Sequence, residues 1–318
     1  MKNISVGVDI GGTNITLALV HRDGKILKKA WFPTAVDRGP DKILEDLVKS
    51  ISQLIKGIPR TKILSIGIGA AGRIDQEEGI IRFSPNLFWK NIPIRRLLKK
   101  RFRLPVYLDN DANTACWGAY IVHKLWNVRT LFCITLGTGV GGGIIIDGKL
   151  YRGATGGAGE IGHIPLDPNG PRCNCGSYGC LERYIGSNSF VERVIRNIRQ
   201  GKRTSLKRLV KGDLRRLNPK VIQKAAEMGD RLALEAFRDF GRDLGIVLAG
   251  LINCLNPEAV LFAGGISKGS KLFFPSMKRT IRKRAFSDLA KSTRFIRTRK
   301  NEELGVIGAA LLNCDFKK

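Results

Sequence analysis

SVGVDIGGTNITLALVHRDGK, Ser5 to Lys25, is the stretch that decides the fold. Ser5 to Asp9 alternates as a short strand and runs into Gly11-Gly12-Thr13. Ile15 to His21 resumes the alternation as a hairpin partner, and Arg22-Asp23-Gly24-Lys25 supplies the next turn. The same design returns at residues 130–150. Thr130 to Leu136 is an apolar strand ending in Gly137-Thr138-Gly139, Val140 to Ile146 is its partner, and Asp147-Gly148 is the turn. Strand, glycine turn, strand and Asp-Gly, twice in one chain, imply two related α/β halves.

The other segments fit that frame. Ile26 to Phe32 continues as a third strand. Asp41 to Lys56 has helical periodicity, with Ile43, Leu44, Leu47, Ile51 and Ile55 apolar. Ile63 to Ala70 is a buried strand before the turn Ala71-Gly72-Arg73. Val106 to Leu108 is a strand ending in Asp109-Asn110-Asp111, and Asn113 to Leu125 reads as a helix. Leu206 to Leu251 is mainly helical, Ala259 to Phe262 is a strand running into Ala263-Gly264-Gly265, and Leu304 to Leu312 is a final helix. No Gly/Ser or Pro linker divides the chain, so the halves are expected to pack around a shared cleft.

Composition narrows the class. The 318 residues suffice for two ordinary domains, and 43% hydrophobic content allows full-sized cores. No run of 18 apolar residues exists, which excludes a spanning helix, and the start Met-Lys-Asn-Ile has no signal-segment pattern, so a cytoplasmic protein is expected. Cys116, Cys133, Cys254 and Cys314 sit in apolar contexts and read as buried free thiols of a reducing cytosol. The net charge of +28 is concentrated at Arg95 to Arg103, Lys202 to Arg216 and Lys278 to Lys300. Such surfaces attract nucleic acid, polyphosphate or anionic membrane. Leu, Ile and Phe interleave these runs at helical spacing, which favours the outer faces of amphipathic helices.

The glycine turns can cradle phosphate, because backbone N–H groups there approach an anion closely and glycine accepts positive φ. None has the spacing of a P-loop. Asp9, just before the first turn, is a hard oxygen donor that suits Mg²⁺ held through water. Asp111 lies where a strand ends and a helix starts. It reads either as a helix N-cap or as a carboxylate placed to take a proton from a substrate hydroxyl. Between His163 and Glu182, Cys173, Cys175 and Cys180 fall among Gly, Pro and Asn residues. His163, Cys173, Cys175 and Cys180 form the ligand set of a closed tetrahedral Zn²⁺ site. Two carboxylates, Glu160 and Glu182, flank it.

These residues together resemble the ROK family (repressors, open reading frames, kinases), within the actin-like ATPase and hexokinase superfamily, over nearly the whole length. Asp9 to Asn14 looks like its first phosphate motif, Leu136 to Gly143 like its second, and Ala263-Gly264-Gly265 like its adenosine motif. Gly157 to His163 with Cys173, Cys175, Cys180 and Glu182 is similar to its signature and zinc motif. The resemblance implies an α/β, two-domain actin-like ATPase/hexokinase-type fold with ribonuclease H-like halves and a cleft between. The domains implied are residues 1–115 plus about 303–318, and 116–302 with the zinc loop at 163–182. It further implies that Asp111 is the catalytic base, that Gly72, Asn86, Asn110, Asp111, Glu160, His163 and Glu182 bind sugar, and that Asp9, Gly11, Gly12, Thr13, Asn14, Gly137, Thr138, Gly139, Gly264 and Gly265 bind nucleotide and Mg²⁺. The zinc would be structural. A proline often precedes the glycine at Gly72 in the family; here Ala71 stands there.

The implied activity is an ATP-dependent hexokinase making glucose 6-phosphate. N-acetylglucosamine or N-acetylmannosamine is the next substrate, then fructose or another hexose. Partners implied are hexose and ATP, with a homo-oligomer, a dimer or tetramer, and neither a specific nucleic acid nor a membrane. Family repressors carry an extra N-terminal helix-turn-helix region. Asp9 opens the phosphate motif so near residue 1 that none is expected. A non-catalytic sugar sensor and a polyphosphate-using glucokinase are the distant readings.

Overall fold

The computed structural model describes residues 3–298 and 302–314. Arg299 and Lys300, the end of the third basic run, and the last four residues of the expected C-terminal segment lie outside them. Thirteen strands are described: β1 (Ile4–Ile10), β2 (Asn14–His21), β3 (Ile26–Pro33), β4 (Ile63–Ala70), β5 (Arg73–Asp75), β6 (Ile80–Ser84), β7 (Trp89–Ile92), β8 (Val106–Asn110), β9 (Thr130–Leu136), β10 (Val140–Ile146), β11 (Lys149–Tyr151), β12 (Ala259–Ala263) and β13 (Arg294–Arg297). Between and after them come α1 (Gly39–Leu54), α2 (Ile94–Phe102), α3 (Asp111–Val122), α4 (Glu182–Ile185), α5 (Ser187–Arg199), α6 (Leu206–Leu209), α7 (Pro219–Glu227), α8 (Arg231–Leu255), α9 (Ser270–Arg284), α10 (Ser287–Ser292) and α11 (Leu304–Ala310).

Two five-stranded mixed sheets carry the chain, in the orders β3-β2-β1-β4-β8 and β11-β10-β9-β12-β13. The orders are the same pattern twice, so the duplicated design of the sequence is a duplicated topology. In the first sheet β1, β2 and β3 pair antiparallel, while β4 and β8 add parallel. A small sheet, β5-β6-β7, fills residues 73–92. Sequence periodicity did not reveal it, because β5 has three residues and β7 four, too few to establish a period of two.

The chain divides into two compact units: Met1–Cys133, Gly143–Gly159 and Lys300–Lys318, and Ile134–Gly142 with Glu160–Arg299. The first unit takes in all of α3, beyond the boundary expected at residue 115. Glycine explains this placement. A Cβ at Gly118 of α3 would strike the Leu304 carbonyl, and one at Gly308 of α11 would strike the Thr114 carbonyl. The two helices therefore touch backbone to backbone, and α11 meets β1 and β4 in the same way at Gly7 and Gly67. Ile43, Leu47, Ile51 and Leu54, one face of α1, join the β-strand side chains in the core.

In the second unit the core is aromatic. Phe190, Phe237, Phe240 and Phe273 have ring centroids 4.9–5.5 Å apart along the chain of contacts from α5 through α8 to α9. Gly241 and Gly245 let α9 press its backbone onto α8. The first basic run is the outer face of α2, with Ile94 and Leu98 buried beneath it. No helix among the described residues is long and apolar enough to cross a membrane.

Candidate active site

Parallel pairing fixes the first cluster. Ile10, Ala70 and Asn110 are in register across β1, β4 and β8. Whatever follows those strands therefore emerges along one edge, where open α/β sheets bind ligands. Gly11 to Asn14, Gly72, and Asn110 with Asp111 all emerge there. The Gly11 loop is tied by the buried Thr34, whose hydroxyl donates to the Gly11 carbonyl at 2.7 Å and whose N–H donates to Thr13 at 2.9 Å. Gly12 lies against Asn86; a Cβ there would sit 3.5 Å from that side chain. Gly72 has φ +116° against the Phe83 carbonyl, so no other residue fits.

The N-cap of α3 is Asn110, not Asp111. Its Oδ1 accepts from Ala112 N–H at 2.8 Å, and its Nδ2 donates to the Gly72 carbonyl at 3.1 Å. β8 runs two residues further than the sequence suggested, and this carries the cap with it. Asp111 is the first helical residue, and its Oδ1 shares the Ala112 N–H at 2.9 Å. Burial raises the Asp111 carboxyl above the ordinary range against the pull of that N–H. Burial, and then the charge of Asp111, push Asp9 up to about 7. Asp9 is closed over by Gly305 of α11, where a Cβ would come within 2.5 Å of Oδ2. Among the described residues no side chain donates to Asp9. A desolvated carboxylate with only a like charge beside it fits a hard cation.

A pH test follows. A raised carboxyl binds a proton in the folded chain that it releases when unfolded. Its stabilisation is complete below pH ~4 and is lost as pH rises through 7, on the order of 2–4 kcal/mol in all. Without ligands the melting temperature should fall from pH 5 to 8, and Asp9→Asn should flatten that slope. Superimposable profiles for the two proteins would remove the assignment.

Asp109 is the residue that sequence reading passed over. It is fully buried and takes four donors: Arg152 Nε at 2.7 Å, Asn110 N at 2.8 Å, Gln76 Nε2 at 2.9 Å and Asn113 Nδ2 at 2.9 Å. It anchors the chain just before Asn110 and Asp111, and through Arg152 it holds the segment that leads to Glu160. Its only signal in the sequence is an acid at the end of an apolar strand.

The second unit holds the other glycine turns. Gly137 N donates to the Gly139 carbonyl at 3.0 Å, and Ser187 N donates to the Gly137 carbonyl at 3.1 Å, which ties the turn to the start of α5. Gly264 has φ +89° against Leu136. Gly137, Thr138 and Gly265 open onto a mostly apolar cavity of about 330 Å³. Much of its remaining wall was not foreseen, Asn218, Lys220, Gln223, Phe237 and Ile266 among it. Asn218 caps α7, accepting from Lys220 N at 3.0 Å and Val221 N at 3.1 Å, with Pro219 at the first helical position. Asn-Pro before a helix is a readable start signal, though not one for a ligand.

The four metal-ligand candidates converge. The donor atoms of His163, Cys173, Cys175 and Cys180 lie within 4.8 Å of one another. His163 Nδ1 is 3.7 Å from Cys173 Sγ, and Cys175 Sγ is 3.6 Å from Cys180 Sγ. Tetrahedral zinc, with Zn–S ~2.3 Å and Zn–N ~2.0 Å, sets its ligands roughly 3.6–3.8 Å apart. The donor set and spacing therefore fit a structural zinc ion. With Nδ1 turned to the sulfurs, Nε2 of His163 is left for another partner. Glu160 precedes the short turn that carries His163. Glu182 begins α4, and its Oε2 accepts from Val140 N–H at 2.8 Å, beside Gly139. The zinc loop is thus pinned to the second glycine turn. Gly72, Asn86, Asn110 and Asp111 belong to the first unit; Glu160, His163 and Glu182 belong to the second.

Comparison with known proteins bears on family and fold. Residues 5–315 match the model of the ROK family. The chain is 35% identical over 312 residues to a glucokinase of Thermotoga maritima, covering 96% of this chain and 95% of that protein. It is 33% identical over 289 residues to a putative xylose repressor of Caldicellulosiruptor, covering 90% of this chain and 72% of the repressor. Among solved structures, a ROK family glucokinase from Streptomyces griseus, in complex with glucose and AMPPNP, superposes with TM-score 0.84 at 33% identity, covering 97% of this chain and 98% of that one.

Proposed function

The chain belongs to the ROK family, with the fold of its glucokinase structures, and on that premise we propose that it is an ATP-dependent hexokinase. It would transfer the γ-phosphate of ATP to the 6-hydroxyl of glucose, giving glucose 6-phosphate and ADP. The observation that carries this reading is the Asp9–Asp111 pair at the strand edge, where burial raises both carboxyls and, among the described residues, no side chain donates to Asp9. A repressor that only senses sugar has no use for two desolvated carboxylates at a phosphate-type turn. N-acetylglucosamine or N-acetylmannosamine is the second substrate reading; the same acidic and imidazole groups accept any pyranose rich in hydroxyls.

Asp111 takes the proton of the 6-hydroxyl as the oxygen attacks phosphorus and ADP leaves. A raised carboxyl is the better base here, because its proton affinity lies nearer the working pH. Asp9 would hold Mg²⁺, which neutralises charge on the transferring phosphate. Gly12, Thr13, Thr138 and Gly139 offer backbone N–H and hydroxyl donors to phosphate oxygens, while Gly11 and Gly137 use their own N–H groups to close the two turns. The apolar cavity at Gly265 suits the base of the nucleotide, with Phe237 and Ile266 on its walls. Asn86, Asn110, Glu160, His163 through Nε2, and Glu182 through Oε1 bind sugar hydroxyls, the carboxylates by charge-assisted hydrogen bonds. Zinc would hold His163 and the loop to Glu182 in place without entering the chemistry. All seven cysteines are free thiols, with Cys254 exposed and Cys314 half-buried where burial was expected, and such thiols fit a reducing compartment, the cytoplasm.

The direct test is ATP-dependent phosphorylation across a panel of glucose, fructose, N-acetylglucosamine and N-acetylmannosamine. Turnover with glucose at the highest kcat/KM is expected; absence of turnover with every hexose sinks the reading. Gly139→Ala probes the sugar side. The new methyl collides with the Glu182 carboxylate, which must leave Val140. Sugar KM should rise about tenfold, the loss of roughly 1.4 kcal/mol of binding, with kcat within threefold. An unchanged KM would remove Glu182 from the sugar site.

A further inference from the structure

The positive charge of the chain is not evenly spread. Residues 257–298 contain ten lysines and arginines against two carboxylates, Glu258 and Asp288. Helix α9 contains no acid at all. Its buried stripe is Phe273, Met277 and Ile281, pressed on α8. Lys271, Arg279 and Lys283 lie two residues off that stripe, about 200° round the helix, and all three are exposed. Arg282 and Arg284 flank them and are exposed as well.

The edge strand β13 extends this face. The Lys278 ammonium lies 5.7 Å from the Phe295 ring and 5.8 Å from the Phe274 ring, so α9 covers the Phe295 side of β13. Arg297, two residues on, projects to that same side. Past the end of α9 stands Phe286, 70% exposed, with its N–H fixed on Asn253 Oδ1 at 3.0 Å. Among the described residues, Lys271, Arg279, Arg282, Lys283 and Arg284 make no ion pair.

Helix stability does not account for this arrangement. Cations in the last turn do complement the helix dipole, but Lys271 lies in the first turn. Lys278 with Arg282, and Arg279 with Lys283, are like charges at i,i+4, which destabilise an isolated helix. A row of unpaired cations beside a presented aromatic ring is the combination that binds single-stranded nucleic acid: phosphates along the charges and a base on the ring. A chain of phosphates alone would use the cations and leave the ring idle.

We infer that the α9–β13 face of the second unit is a docking surface for single-stranded nucleic acid, read by charge and stacking and without sequence preference. This stands apart from the kinase reading and needs none of its residues.

The test is fluorescence anisotropy with a labelled mixed-sequence oligonucleotide of about 20 nucleotides, titrated with the full-length protein at several salt concentrations. The triple variant Arg279→Glu, Arg282→Glu, Lys283→Glu should weaken binding at least 30-fold and lower the salt slope by about 2, three phosphate contacts at ~0.7 each. A control with the same change of net charge on α2, Arg96→Glu, Lys99→Glu, Lys100→Glu, should stay within threefold. Phe286→Ala should weaken oligonucleotide binding about fivefold or more and leave inorganic polyphosphate binding unchanged. All substituted side chains are exposed, and circular dichroism melts check that each variant folds. Equal losses in the two triple variants would mean net charge alone and overturn the surface. A silent Phe286→Ala would overturn the nucleic-acid assignment, and so would the lack of saturable binding at low salt.

Discussion

Asp111→Asn should lower kcat about 10³-fold, within the 10²–10⁴ range of a lost general base, while hexose affinity stays within threefold. Asparagine keeps the oxygen that accepts from Ala112 N–H, and Asn110 still caps the helix. The start of α3 should therefore be undisturbed, and the loss is of proton transfer and not of shape. The same substitution should raise the melting temperature at pH 8. It removes a desolvated charge and relieves Asp9 of the like charge that pushes its carboxyl up. A protein that gains stability as it loses turnover marks a strained catalytic position. If activity falls less than tenfold and the melting temperature does not move, Asp111 is not the base. Asp109→Asn makes the contrast. It strips the charge partner from Arg152 and leaves a half-buried guanidinium unpaired, so it should destabilise the fold.

Much of the fold was legible because one physical signal repeats. The strand pairs at residues 5–21 and 130–146 are short apolar runs, each pair joined by a glycine turn and followed by Asp-Gly, so the duplication follows from pattern alone. Both five-stranded sheets are the outcome. Asp109 was not legible for the opposite reason. Its importance comes from Gln76, Asn113 and Arg152, up to 43 positions away, and a sequence shows partners only where a period or a spacing ties them. The wall of the cavity is a similar case. Phe237 lies on the apolar face of a long helix, where it reads as core, and it is core to Phe190 and Phe240 as well as lining the cavity. Gly118 and Gly308 were silent too. Each reads as a weak point in a helix, and only the backbone contact of α3 with α11 shows what a side chain would break.

Removing the metal should have an effect of comparable size on the sugar side. The loop from His163 to Glu182 has little regular structure: two isolated bridges, Pro165 with Cys180 and Arg172 with Tyr178, and backbone hydrogen bonds such as Cys173 N to Ser177 O at 2.7 Å. Three sulfurs and an imidazole nitrogen within 4.8 Å repel as the thiols ionise, and only a cation reverses the sign of that interaction. Structural zinc sites contribute on the order of 10 kcal/mol or more of apparent binding energy at neutral pH, so the loop should not keep its shape without one. Purified protein should carry one zinc per chain by elemental analysis, and Cys180→Ser should lose it. Hexose Kd should then rise at least 100-fold, because His163 and Glu182 sit at the two ends of the released loop and Glu182 alone remains tied, through Val140. The nucleotide cavity at Phe237 uses none of these residues, so ATP affinity should change less than threefold. This makes the split between the two ligands the decisive reading. Loss of zinc with full hexose affinity would reduce the site to a stabilising clip. Absence of zinc from the native protein, with a silent Cys180→Ser, would remove the metal altogether.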